Sequence, residues 1–242
     1  MQIDILYNDN DLVIVNKPSG LLVIPDRFKT ELPSLNHLLE SRLGQQIWVV
    51  HRLDRDTSGV ICFAKNEQTH KYLSKLFMER DVTKFYHGLV NGRLIPEEGR
   101  IEKPISEHPS AKGKMIIAKK GKPSITDYKA VEQWPLHSFV QFQIHTGRTH
   151  QIRVHMQSIG HSIVCDELYG DGKPFYLSGI KKKYRLSNDE ETERPLLSRL
   201  ALHASILEFK KADGTQIKAE APLPKDIAAC IKQLNKWAST IS

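Results

Sequence analysis

The sequence predicts an α+β chain built on a mixed, largely antiparallel sheet. Three observations carry this prediction. Short β-type apolar runs are separated by turn-forming residues such as Asn8-Asp9-Asn10-Asp11, Asn91-Gly92 and Asp213-Gly214. Segments whose apolar residues follow a helical period are interspersed among them. No repeat, low-complexity tract or linker of domain-separating length interrupts the chain, so residues 1–242 read as a single domain.

The elements follow in order. Ile3–Tyr7 and Leu12–Val15 flank a turn-rich tetrad and predict a hairpin, and Lys17-Pro18-Ser19-Gly20 breaks its second strand. Leu35, Leu38, Leu39 and Leu43 share a helical face, with Gly44 placed to end the helix. Ile47–Val50 is extended and runs straight into His51–Gly59, after which Val60–Ala64 is a strand. Asn66 caps a helix whose apolar face is Leu73, Leu76 and Phe77. Thr83–Val90 is a strand, residues 103–123 are a basic loop or irregular hairpin, and Ile125–Val131 pairs with Phe139–Ile144. A helix starting near Thr149 puts Ile152, Met156 and Ile159 on one stripe and His150, Arg153 and Gln157 on the other, with Gly160 to end it. The polar insertion at about 171–195 carries charges that cancel and reads as a solvated loop. Leu200–Phe209 and the segment after Asp213-Gly214 are strands, and Ile227, Ile231, Leu234 and Ala238 face the core from a last helix.

Composition excludes several classes. At 40% hydrophobic and 26% charged the composition is that of an ordinary globular protein and not of a disordered tail. Its apolar runs, such as Leu21–Ile24, fall far short of the ~18 residues of a membrane helix, and Met1-Gln2-Ile3-Asp4 opens no signal peptide. Cys62, Cys165 and Cys230 are scattered and odd in number, which fits a reducing cytoplasm better than a disulfide framework or a zinc knuckle. The net charge of +7 is unevenly spread: residues 103–123 hold six lysines (103, 112, 114, 119, 120 and 122) against the single acid Glu107. That local excess suits a polyanion such as a nucleic acid, while the rest of the chain is nearly neutral.

Two segments concentrate chemistry. His51-Arg52-Leu53-Asp54-Arg55-Asp56-Thr57-Ser58-Gly59 sets five ionisable residues between apolar strands, so it is either a solvated turn or a site. Asp54 and Asp56 share the parity of an extended chain and could hold a divalent metal, against which Arg52 and Arg55 compete. In Ile144–His155, Gly147 permits a tight turn into a helix whose start, with Arg148, could hold phosphate. His145, His150 and His155 recur every five residues, which is neither one helical face nor the spacing of a zinc helix.

With these residues in view, the chain resembles the RluA-type branch of the RNA pseudouridine synthases. His51–Gly59 is similar to that branch's catalytic motif in full. Asn16-Lys17-Pro18-Ser19-Gly20, Lys84-Phe85-Tyr86-His87-Gly88, Thr146–His155 and Leu200-Ala201-Leu202-His203-Ala204 agree in order and spacing, so the resemblance covers roughly residues 3–222. Ser162 and Cys165 depart from the Pro and Gly that family members often carry, and the insertion at 171–195 is longer than in the shortest members. No S4-type domain is expected before the motifs, unlike in many relatives.

The resemblance implies the pseudouridine synthase fold with a basic cleft, and isomerisation of uridine to pseudouridine in ribosomal or transfer RNA. The reaction gains no atom and changes no oxidation state, so it implies no cofactor and no metal. It implies that Asp54 is the catalytic aspartate, as nucleophile at C1′ or as base toward the sugar. Tyr86 lies against the target base, and Arg153 pairs with the aspartate. Arg52 fills the space a flipped base leaves, and Lys17, Arg148 and His150 contact phosphate or position loops. A cytoplasmic monomer without membrane attachment completes the expectation. Two rivals stand beside it: an inactive RNA-binding or chaperone protein, and a metal-dependent nuclease using Asp54 and Asp56.

Overall fold

The Asn8–Asp11 tetrad turns the chain as its composition requires: the Asp9 carboxylate accepts from the N–H groups of Asp11 and Leu12, both at 2.8 Å. The two strands it joins are β1 (Asp4–Asn8) and β2 (Leu12–Lys17), paired antiparallel with an irregularity between Ile5 and Tyr7. In the computed structural model, which describes residues 3–26, 29, 31–186 and 192–238, the chain forms two compact units. The first comprises Met1–Tyr86 and His203–Pro222, and the second His87–Leu202 and Leu223–Ser242.

The first unit is centred on β4 (Ser58–Ala64), all seven of whose residues are buried. One edge of β4 pairs with β2 from Leu12↔Ala64 to Lys17↔Gly59. The other edge is shared between β3 (Trp48–Val49), antiparallel, and β11 (Leu202–Lys210), parallel at His203↔Ser58 and Ala204↔Gly59. β12 (Gln216–Glu220) extends the sheet antiparallel to β11. Helix α1 (Leu35–Leu43) buries Leu35 and Leu39 and ends at Gly44, which is left-handed with φ 65°. Helix α2 (Glu67–Glu79) is capped by Asn66, whose side chain accepts from Thr69 N–H at 2.8 Å.

Strand β5 (Thr83–Asn91) carries the chain from the first unit into the second. There β9 (Ile125–Gln133) pairs antiparallel with β6 (Glu98–Glu102) on one edge and β10 (His137–Ile144) on the other. The basic stretch is a hairpin, β7 (Ile105–Glu107) and β8 (Met115–Ile117). Helix α3 is short (Gln151–Gln157), and α4 (Lys225–Trp237) buries Ile227, Cys230 and Leu234. The sheet is thus mixed and largely antiparallel, as expected.

Three expectations are corrected. β6 was not anticipated, because Glu98-Gly99-Arg100-Ile101-Glu102 is too charged to read as a strand from its own sequence. Helix α3 is not amphipathic: Gln151 through Met156 are all buried, Arg153 included. The insertion is not wholly solvated either, since Phe175 and Ile180 are buried and Phe175 bridges to Leu197. Its residues 187–191 lie outside the described set. Among the described residues no helix is long and apolar enough to cross a membrane.

Candidate active site

In the first unit, His51–Thr57 forms the loop between β3 and β4, and its backbone is held from beneath. Lys17 at the end of β2 is fully buried, and its ammonium donates to the carbonyls of Arg55 (2.8 Å), Leu21 (2.9 Å) and Pro18 (3.0 Å). Ser19 Oγ donates to the Asp56 carbonyl at 2.6 Å, and Gly20 N–H to the Arg55 carbonyl at 2.9 Å. A buried charge is tolerated only when its donors are used. The ammonium therefore faces loop backbone, not solvent phosphate, and of the two roles expected of Lys17 its place admits loop positioning.

The two ends of the loop are also tied. Cys62 N–H donates to His51 Nε2 at 3.1 Å, while the His51 ring stacks on Phe77 with centroids 4.3 Å apart. Burial, then the charge of Lys84, pushes the imidazole pKa down to about 3, so His51 is neutral and acts as an acceptor. At the far end Ser58 Oγ and His203 Nδ1 are 2.9 Å apart, both residues buried. Within the loop, Thr57 N–H closes a turn on the Asp54 carbonyl at 3.2 Å.

What the loop presents is consistent between residues. Leu53 is buried, Asp54 and Asp56 are half-buried, and Arg52 and Arg55 are exposed. Arg55 pairs with Asp56 at 3.1 Å, so these two neutralise each other at the rim. Tyr86, near the middle of β5, is 9% exposed. Burial, then the negative charge of Asp54, raises the phenol pKa above its ordinary value. The fold thus sets the Asp54 carboxylate within electrostatic reach of a Tyr86 hydroxyl that keeps its proton.

In the second unit, the motif Thr146–His155 is organised by Gln151. Its Oε1 accepts from Thr146 Oγ1 (2.6 Å) and Arg148 N–H (3.1 Å), and its Nε2 donates to Ile125 O and Thr126 Oγ1, both at 2.9 Å. The turn into α3 is therefore satisfied internally, and a seven-residue helix offers little dipole for the phosphate expected there. Arg148 is half-exposed and donates to the Pro123 carbonyl at 3.3 Å. The three histidines diverge: His145 bonds Asp127 at 2.7 Å, His150 bonds the Tyr169 hydroxyl at 2.9 Å, and His155 contacts Thr126 Oγ1 at 2.9 Å. Among the described residues, no group of three or more His, Cys, Asp or Glu could hold a metal ion.

Arg153 is held at two nitrogens of its guanidinium fork. Its Nε and Nη2 each donate to Asp166 at 2.7 Å, a bidentate pair with the carboxylate 0% exposed. Asp166 Oδ1 also accepts from Leu168 and Tyr169 N–H at 3.0 Å. The preceding Cys165 is left-handed at φ 59°, a conformation that glycine adopts without the steric cost a Cβ brings. That is the position where family members often carry glycine. Neither Asp166 nor Tyr169 is among the candidate residues that the sequence singles out. The local signal is slight: Asp166 follows the apolar run Ile163–Cys165, and Tyr169 follows Leu168.

The whole segment 11–158 matches the family model described as RNA pseudouridylate synthase. The chain belongs to the RNA pseudouridylate synthase family. Among curated members it is 37% identical over 233 residues to ribosomal large subunit pseudouridine synthase D of Neisseria meningitidis serogroup B, spanning 94% of this chain and 60% of that one. It is 34% identical over 239 residues to the protein of the same name in Escherichia coli K12, spanning 95% and 70%. Among solved structures it matches human RNA pseudouridylate synthase domain containing 1, with a TM-score of 0.72 and 28% identity over 95% of this chain and 87% of that one. The pseudouridylate synthase match includes Lys17, Arg52, Asp54, Tyr86, Arg148, His150 and Arg153 but ends before Asp166.

Proposed function

We propose that this chain isomerises uridine to pseudouridine in RNA, with ribosomal RNA as its substrate and Asp54 as its catalytic group. The observation that carries this reading is the loop itself. Asp54 sits on backbone fixed by Lys17, Ser19 and Gly20, with the protonated Tyr86 hydroxyl in its field. Family membership and the ribosomal substrate named for its relatives support it.

The chemistry asks little beyond these groups. The N1–C1′ bond breaks, the uracil turns, a C5–C1′ bond forms, and a proton is lost from C5 while N1 gains one. An ionised Asp54 acts at C1′ as nucleophile or on the sugar as base. Tyr86 lies against the base and, holding its proton, donates rather than abstracts. Tyr86→Phe keeps the ring and removes the donor, so fold and RNA affinity should be retained while single-turnover product formation slows about tenfold or more. An unchanged rate would remove the hydroxyl from the mechanism.

The target base must leave its stack, at a cost of a few kcal/mol. Arg52 is exposed at the loop's rim and its planar guanidinium can stack and donate where the base was. Arg52→Ala should lose about tenfold more activity on a folded stem-loop than on an unstructured strand carrying the same uridine. Equal losses on both would refute this role. Arg148 contacts the RNA backbone, as do the exposed Lys119, Lys120 and Lys122 of the basic stretch. Lys103 is committed elsewhere, donating to Ser158 O and Oγ at 3.3 Å.

The test is direct. Purified protein is incubated with ribosomal RNA transcripts, which are then mapped by carbodiimide-dependent reverse-transcription stops. New stops at defined uridines, in RNA of unchanged length, are expected. Binding without stops would make the chain a binding protein, and shortened RNA would make it a nuclease.

A further inference from the structure

The lysine-bearing hairpin is not simply packed on the second unit; one buried side chain fastens it. Tyr169, 2% exposed, accepts at its hydroxyl the N–H of Met115, the first residue of β8, at 2.7 Å. The same oxygen lies 2.9 Å from His150 Nδ1. Having accepted from Met115, the phenol can give its own proton to His150, provided the imidazole carries its proton on Nε2. The ring below has Arg153 Cζ 5.0 Å from its centroid and Lys114 Nζ, from the hairpin, at 5.8 Å. Both cations lie within the range of attraction to an aromatic face. Ile105, Val154 and Tyr169 form one buried cluster, against which Met115 and Ile117 pack. Finally, Tyr169 N–H donates to the same Asp166 oxygen that receives Arg153 Nη2.

A tyrosine needed only to fill space would satisfy its hydroxyl once, at the nearest backbone group. This one joins three things: the hairpin backbone, the His150 that begins α3, and the guanidinium held by Asp166. We propose that Tyr169 is a positioning residue that latches the lysine-bearing hairpin to the Arg153 guanidinium, so that RNA drawn onto the hairpin steadies the arginine. The proposal rests on the reading that the chain modifies RNA, and on the pairing of Arg153 with the catalytic aspartate that the family resemblance implies. It extends that reading by making backbone docking and reaction rate interdependent through one side chain.

Tyr169→Phe tests it, since the ring and its packing remain. In the free protein, the Met115 amide should exchange with solvent at least about fivefold faster, the factor one hydrogen bond supplies. Unchanged exchange overturns the latch, whatever the RNA results. With RNA, Lys119→Ala/Lys120→Ala is compared in wild-type and Tyr169→Phe backgrounds. In the wild type, the lysine replacements should lower both RNA affinity and the single-turnover rate at saturating RNA. In Tyr169→Phe they should lower affinity by the same factor and the rate no further. Rate losses that multiply independently overturn the coupling. Unaltered affinity on replacing the lysines also overturns it, because the hairpin then holds no RNA. A wild-type protein that binds RNA but makes no pseudouridine overturns the parent reading instead, and is told apart because the Met115 exchange result stands without it.

Discussion

Replacing Asp54 by Asn is expected to abolish pseudouridine formation while leaving RNA capture intact. The expected loss in single-turnover rate is on the order of 10⁴-fold or more, the scale seen when a nucleophile or its essential partner is removed. Asparagine has nearly the same shape but neither the charge nor the basicity that either mechanism requires. The loop should survive the change. Its turn is closed by Thr57 N–H on the Asp54 backbone carbonyl, and its supports from Lys17, Ser19 and Gly20 all reach the carbonyls of Arg55 and Asp56. Removing a negative charge beside a polyanion leaves affinity equal or slightly tighter. Rate and affinity are measured on the same purified variant, and full activity in Asp54→Asn would end the mechanism.

Gly59→Ala is expected to produce the largest loss of stability. Gly59 lies where β4 leaves the loop, at φ 118°, and a Cβ there would sit 2.0 Å from the Ala204 carbonyl oxygen and 2.6 Å from its nitrogen. Those atoms belong to the parallel partner strand, so nothing flexible can yield. Backbone strain and overlap together should cost about 3 kcal/mol or more, which lowers Tm by roughly 10 °C for a chain of this size. Gly44→Ala isolates the overlap: at φ 65° it carries the strain but meets nothing within 4 Å. Calorimetry on both variants checks this, and equal small shifts in Tm would refute the steric argument.

Local chemistry was legible in the residues. Asn66 as a cap, Gly44 as a stop and the Asn8–Asp11 turn depend on neighbours within four positions, and each stands where its chemistry put it. The motif series likewise identified the family, which the match over 11–158 shows. Illegible were the partners that come from far along the chain. Arg153 was assigned to a polar stripe because charge normally points outward. It lies inside because Asp166, thirteen residues on, meets it through two hydrogen bonds. For Lys17, phosphate contact and loop positioning both stayed open, because the Arg55 carbonyl that helps bury it lies thirty-eight residues on. Periodicity reports which face of an element is apolar, and says nothing about which charge is cancelled by another.

The first unit is sewn from two stretches of chain, and this sets an order of assembly. Ser58 and Gly59, which close the Asp54 loop onto β4, find their neighbours His203 and Ala204 only after the whole intervening stretch His87–Leu202 has been made. During synthesis the amino-terminal strands emerge first and must wait with that edge of β4 open. Closure is a long-range event with a correspondingly slow search. A nascent chain therefore holds the Asp54 loop from beneath through Lys17, Ser19 and Gly20 long before the return strand ties its far end at Ser58 and Gly59.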